Sequence, residues 1–144
     1  MIEIENVLYK YNLEKRKETD FIFISDVENE LNFTFPEDYK FFAQNYVENE
    51  LFIGNEFFRL WDFNNLIEIN KSYLITRYIT NIIGIGTNGS AEYIIIELLE
   101  NGEMHIVLAT FIDLDKQYNI EIGTNFTDFF ERLENGKNWF DTEV

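Results

Sequence analysis

The chain has 144 residues, no cysteine, and 27 acidic against 11 basic side chains, a formal charge of −16. That length suits one domain with a real core, and 46% apolar with 17% aromatic residues argues against disorder. Without cysteine there are no disulfides, no thiol catalysis and no cysteine-ligated zinc, and the acidity disfavours nucleic acid or an acidic membrane surface as a direct partner.

Taken in chain order, residues 1–12 fit either a helix with Ile4, Leu8 and Tyr11 on one face or a short strand. Lys15-Arg16-Lys17 is the only basic cluster and lies in a polar connector, where a solvated loop is expected. Phe21-Ile22-Phe23-Ile24 is a short apolar run, strand-like or simply packed. Ser25-Asp26-Val27-Glu28 has the form of a capping box opening a short helix with Val27 and Leu31 on one side. Pro36-Glu37-Asp38 then opens a second helix, since proline is tolerated in a first turn and carboxylates favour the positive end. Tyr39, Phe42, Ala43 and Tyr46 give it an apolar stripe at i, i+3, i+4, i+7.

Glu50–Ile53 and Glu56–Leu60 read as strands around a Gly54-Asn55 turn. Asp62 can cap a third helix lined by Leu66, Ile69 and Tyr73. Tyr93–Leu99 and Met104–Ala109 flank Asn101-Gly102 as a second hairpin, and Tyr118–Ile122 can add a strand. Asn125 caps a last helix carrying Phe126, Phe129, Phe130 and Leu133, which ends at Asn135-Gly136. Helices first, hairpin-linked strands between, and a helix last predict an α+β domain, a sheet largely antiparallel with helices packed on it.

Gly84, Gly86 and Gly89 stand at G-x-G-x-x-G spacing, which in a dinucleotide fold would cradle a pyrophosphate. Such a loop must open a helix whose amides hold the phosphates. Here Tyr93-Ile94-Ile95-Ile96 follows, a β-branched run, and no basic residue stands between Arg77 and Lys116. The expected reading is strand, turn, strand, with the glycines supplying unusual backbone angles. His105, the only histidine, lies in an apolar run and has no histidine partner for a metal. Asp113-Leu114-Asp115 starts like a calcium loop, but Tyr118 replaces its glycine and Thr124 its bidentate glutamate. No serine sits in a nucleophile-elbow context. Carboxylate pairs abound, yet in so acidic a chain they arise by chance, which leaves a carboxylate hydrolase as the weakest of three readings. No catalytic residue, cofactor or metal ion is expected.

The order Val27, Leu31, Phe35-Pro36-Glu37-Asp38-Tyr39-Lys40-Phe41-Phe42, Tyr46 resembles the opening of the SUKH superfamily, the Smi/Knr-like proteins. Leu60–Asn70, Ile83–Gly89 and Ile122–Phe130 resemble, in the same order, its middle segment, its glycine turn and its closing helix start. The resemblance spans about residues 22–136 of a single domain over 1–144. Phe35 replaces the usual leucine, Val47-Glu48-Asn49 stands where Asn-Gly-Gly is common, and Thr124-Asn125 replaces the small residue and serine before Phe126.

The resemblance implies a mixed helix–sheet fold and, for most bacterial members, an immunity role: binding a cognate toxin domain, often a nuclease, and blocking it. An acidic inhibitor suits a basic, phosphate-gripping target. The alternative is an intracellular regulatory adaptor with no toxin, as eukaryotic relatives are thought to be. Abundant Asn and Ile beside few Arg point to a bacterial source, and an acidic start without a signal peptide points to the cytoplasm. The partner-binding residues expected are Glu48 with Glu50 in the loop after the second helix, Asp113 with Asp115 before the last strand, and Trp61 beside Asp62 as an aromatic anchor that a lone tryptophan's usual burial would withdraw.

Overall fold

A computed structural model of the chain describes residues 2–75, 81–110 and 119–141. Their order is α1 (Ile2–Tyr9), α2 (Ile24–Leu31), α3 (Glu37–Asn45), β1 (Asn49–Ile53) and β2 (Glu56–Leu60), then a 3-10 turn (Phe63–Asn65) running into α4 (Leu66–Ser72). There follow β3 (Ile82–Thr87), β4 (Glu92–Leu98), β5 (Met104–Thr110), β6 (Ile120–Gly123) and α5 (Phe126–Glu134). The six strands form one curled, wholly antiparallel sheet in chain order, each pairing with the next. The architecture is α+β, as the alternation of patterns predicts.

Aromatic side chains join the helices to the sheet. Tyr39 and Phe42 of α3 meet Phe126 of α5 at ring-centroid distances of 5.3 and 5.9 Å, and Phe58 of β2 packs edge-on against Phe129 and Phe130 at 5.1 and 5.7 Å. The stripes read for α3 (Tyr39, Phe42, Ala43, Tyr46) and α5 (Phe126, Phe129, Phe130, Leu133) are buried throughout. Such ring pairs contribute about 0.5–1.5 kcal/mol each beyond the area they bury. Ile4 and Leu8 are fully buried where α1 packs on α3 and α5, which decides for a helix at the start of the chain. In the middle of the sheet Ile94, Ile95 and Ile96 are all buried, the mark of a strand covered on both faces.

The glycine segment is a strand and a turn. Gly86 lies where β3 passes β2 so closely that a Cβ would collide with the Arg59 carbonyl oxygen, and Gly89 takes φ +75° in the turn before β4. The β3–β4 register slips between Gly84 and Gly86, and fully buried Asn70 of α4 meets the main chain there. Its amide donates to the Gly84 carbonyl at 2.9 Å, and its Oδ1 accepts from the Gly84 N–H at 2.8 Å.

Several local expectations are corrected. The capping box does not form: α2 begins at Ile24, with Phe23 at its cap, so Ser25 falls inside the first turn. Glu28 instead accepts from the Phe35 amide at 2.8 Å, tying α2 to the entrance of α3. Phe21–Ile24 is no strand, and Phe21 and Phe23 are 69% and 65% exposed. Asp62 caps the 3-10 turn by accepting from Asn64, and the buried side of α4 is Leu66 and Asn70 while Tyr73 is exposed. Glu50 belongs to β1 and not to a loop. Asn125 caps α5 as expected, accepting from Asp128 N–H at 2.7 Å.

Candidate partner-binding surface

The loop between α1 and α2 is built around one side chain. Lys15 bridges to Tyr46 in antiparallel fashion, Arg16 N–H donates to Asn45 O at 2.9 Å and Val47 N–H to Glu14 O at 3.3 Å. Asn49 closes this short ladder, its Oδ1 accepting from Glu14 N–H at 2.7 Å and its Nδ2 donating to Glu14 O at 3.1 Å. Arg16 turns inward: its side chain is 4% exposed and spans Asp20 and Asp62, at 2.8 Å each. It also donates to Ala43 O and Tyr46 O, satisfying carbonyls at the end of α3. The basic cluster expected as solvated loop is therefore a strap with a buried arginine, and only its flanking lysines face outward. Sequence reasoning missed Arg16 because three of its four partners, Ala43, Tyr46 and Asp62, come from two distant segments.

Two open clefts flank the strap. One, of about 670 Å³, brings Glu48 and Asp62 together with Glu14, Lys15, Lys17 and Asp20. The other, of about 720 Å³, runs past Tyr9, Phe21, Phe41 and Tyr46. Of the expected binding residues, Glu48 and Glu50 are exposed, and Glu50 pairs with Arg59 across the β1–β2 ladder at 2.9 Å. Asp62 is held by Arg16. Trp61 is 5% exposed and packs against Tyr73 and Tyr93 at 6.1 Å each, so it offers a partner almost no surface. Asp113 and Asp115 lie outside the described residues.

At the far end of the sheet His105 sits opposite Glu97 in register, with Nε2 2.6 Å from its carboxylate, and Nδ1 3.4 Å from Glu121. Arg132 continues the chain to Glu121 and Asp128 at 2.8 Å each, and these carboxylates raise its pKa against the lowering effect of burial. Lys10, Lys40 and Lys71 are likewise ion-paired. With most described cations neutralised internally, the excess carboxylates set the surface field. Among the described residues no group of three or more His, Cys, Asp or Glu could hold a metal ion, and no helix is long and apolar enough to cross a membrane.

The model of the SMI1 / KNR4 family (SUKH-1) matches residues 22–132. The chain belongs to this family. No curated protein matches it. The SUKH-1 segment takes in α2 through most of α5, and α1 lies before it. Yet Ile4 and Leu8 of α1, like Trp139 beyond α5, are buried in the same core, so the folding unit extends past the matched segment at both ends.

Proposed function

We propose that this SUKH-1 protein is a non-catalytic immunity protein that binds a cognate toxin domain and neutralises it, the toxin being a basic nuclease. The observation that carries this reading is the charge: −16 over the chain, with the described cations drawn largely into internal ion pairs. A nuclease grips phosphates with clustered lysine and arginine, and a body with the opposite field is steered onto that surface and can cover it. Family membership supports a protein partner. Glu48 and Glu50 are the proposed contacts on the described surface, and Asp113 and Asp115 are proposed on charge alone.

The test is to purify the protein with the toxin domain encoded beside its gene, then measure affinity and residual toxicity in cells expressing both. Tight binding with loss of toxicity is expected. Absence of such a neighbour, or no protection against it, would refute the reading in favour of an adaptor, for which a pull-down would recover a host-encoded partner.

A further inference from the structure

We infer that the outer edge of β1 is a docking strip that takes an extended, basic segment of the protein's partner as a seventh strand. This rests on the proposed toxin-binding reading for the identity of the partner, though not for the chemistry of the edge. The hairpin fixes which groups face out. Ile53 pairs with Glu56 across the two-residue Gly54-Asn55 turn, so Ile53, Leu51 and Asn49 exchange hydrogen bonds with β2. The alternate residues Glu50 and Phe52 then point their N–H and C=O groups away from the sheet. The strap of residues 14–16 runs only alongside 45–47 and closes on the Asn49 side chain. Among the described residues, nothing pairs with the main chain of Glu50 or Phe52 on that outer side.

An open edge is ordinarily shielded by charge, above all lysine, by proline, by a bulge or by a covering segment. Among the described residues, β1 has no lysine, proline, bulge or covering strand over Glu50–Ile53, and the charge it does carry is negative, which turns away an acidic strand but not a basic one. It shows instead an exposed carboxylate at Glu50, another just before it at Glu48, and Phe52 at 70% exposure with Phe57 opposite it in register. A second copy is a poor occupant, because two bodies of charge −16 repel. An incoming strand with lysine or arginine beside Glu50 and an aliphatic side chain beside Phe52 would satisfy four main-chain groups, share the Glu50 carboxylate with Arg59 and cover the Phe52 ring. Main-chain bonds then supply affinity and the two side-chain positions supply selectivity.

The experiment follows amide hydrogen exchange of the full chain by NMR, with two probes. The first is a capped six-residue peptide carrying lysine and valine two residues apart on one face, with threonine between them, compared with the same peptide N-methylated at the amides facing the edge. The second is the toxin domain encoded beside the gene. Exchange at Glu50 and Phe52 is expected to slow at least about tenfold with the first peptide and with the toxin, about 1.4 kcal/mol of protection. The N-methylated peptide and the Glu50→Lys variant should lose the effect, while Leu51 and Ile53, already bonded to β2, barely change. Equal binding of the N-methylated peptide would mean charge attraction alone and would overturn the inference. Tight toxin binding with unchanged exchange at Glu50 and Phe52 would overturn it while leaving the immunity reading intact. Protection by the peptide without any toxin binding would uphold the edge and remove the toxin. A dimer formed through β1 at working concentration would also overturn it.

Discussion

Arg16 shows how one side chain can organise a surface. Its guanidinium is nearly out of water, yet each of its three nitrogens meets a carboxylate or a helix-end carbonyl. Removing one partner of a fully buried pair costs about 3–5 kcal/mol, and because Asp20 and Asp62 keep partial access to water the loss of Arg16 belongs at the lower end. Arg16→Ala is therefore expected to lower unfolding free energy by about 3 kcal/mol in urea titrations, whereas Lys15→Ala and Lys17→Ala should stay within about 0.5 kcal/mol. Arg16→Lys should recover only part of the loss, because an ammonium cannot span four acceptors as the planar fork does. Tyr39 makes the opposite case. Its hydroxyl is fully buried with no hydrogen-bond partner among the described residues, and burial first, then the charge of Asp62, raise its pKa well above the ordinary value. Tyr11 is raised as well, by burial and by Glu134. A raised folded pKa gives stability that is complete below the unfolded value of about 10 and declines as pH climbs towards the folded one. Stability should thus fall steadily above about pH 10. Tyr39→Phe should flatten that fall and leave neutral-pH stability equal or higher by about 1 kcal/mol, read from denaturation at pH 7 and pH 11.

Among the elements, α5 is the one on which the core is assembled, and its start is fastened twice. Asn125 caps it from within, and Asp38 of α3 accepts from both the N–H and the Oγ1 of Thr127, at 2.9 and 3.0 Å. Asn125→Ala is expected to cost about 1 kcal/mol, measurable as a shift in the urea midpoint at constant m-value. The β2–β3 crossing is less forgiving. Any Cβ on Gly86 meets main chain and not a movable side-chain tip, so the strands would have to part. Gly86→Ala should destabilise by about 2 kcal/mol, the usual scale of overpacking, and a neutral result in the same titration would refute the close approach. For both helices, spacing alone identified the buried face. It misled in α4, where Asn70 rather than Tyr73 turns inward because the slipped β3 ladder needs a polar partner.

At the scale of the whole molecule, the charge acts on folding and on association in opposite senses. Self-repulsion at −16 weakens the compact state, so added salt should raise the midpoint of thermal unfolding until screening is complete, near about 0.5 M. Capture of a basic partner should slow over the same series. Glu48→Lys should lower the association rate and reduce its salt dependence with the fold unchanged by circular dichroism. An association rate insensitive to salt would remove electrostatic steering from the account.

The elements rest on local signals that a linear chain displays. Helical spacing placed α3 and α5, two-residue turns placed the β1–β2 hairpin, and the lack of a helix after Gly89 dismissed the phosphate loop. Charge and the absence of cysteine are properties of composition and needed no fold. Long-range pairing decided the rest. Ser25 had the right neighbours for a capping box, but Glu28 was drawn to Phe35 as α3 docked. Arg16 looked like surface until Asp20, Asp62 and the end of α3 converged on it. Trp61, beside the charged Asp62 in sequence, was taken into the core by Tyr73 and Tyr93, while Phe21 and Phe52, as apolar as any core residue, were left outside. Periodicity records which way a side chain points along its own element. Only the sheet order and the packing of helices on it determine which of those directions ends in solvent.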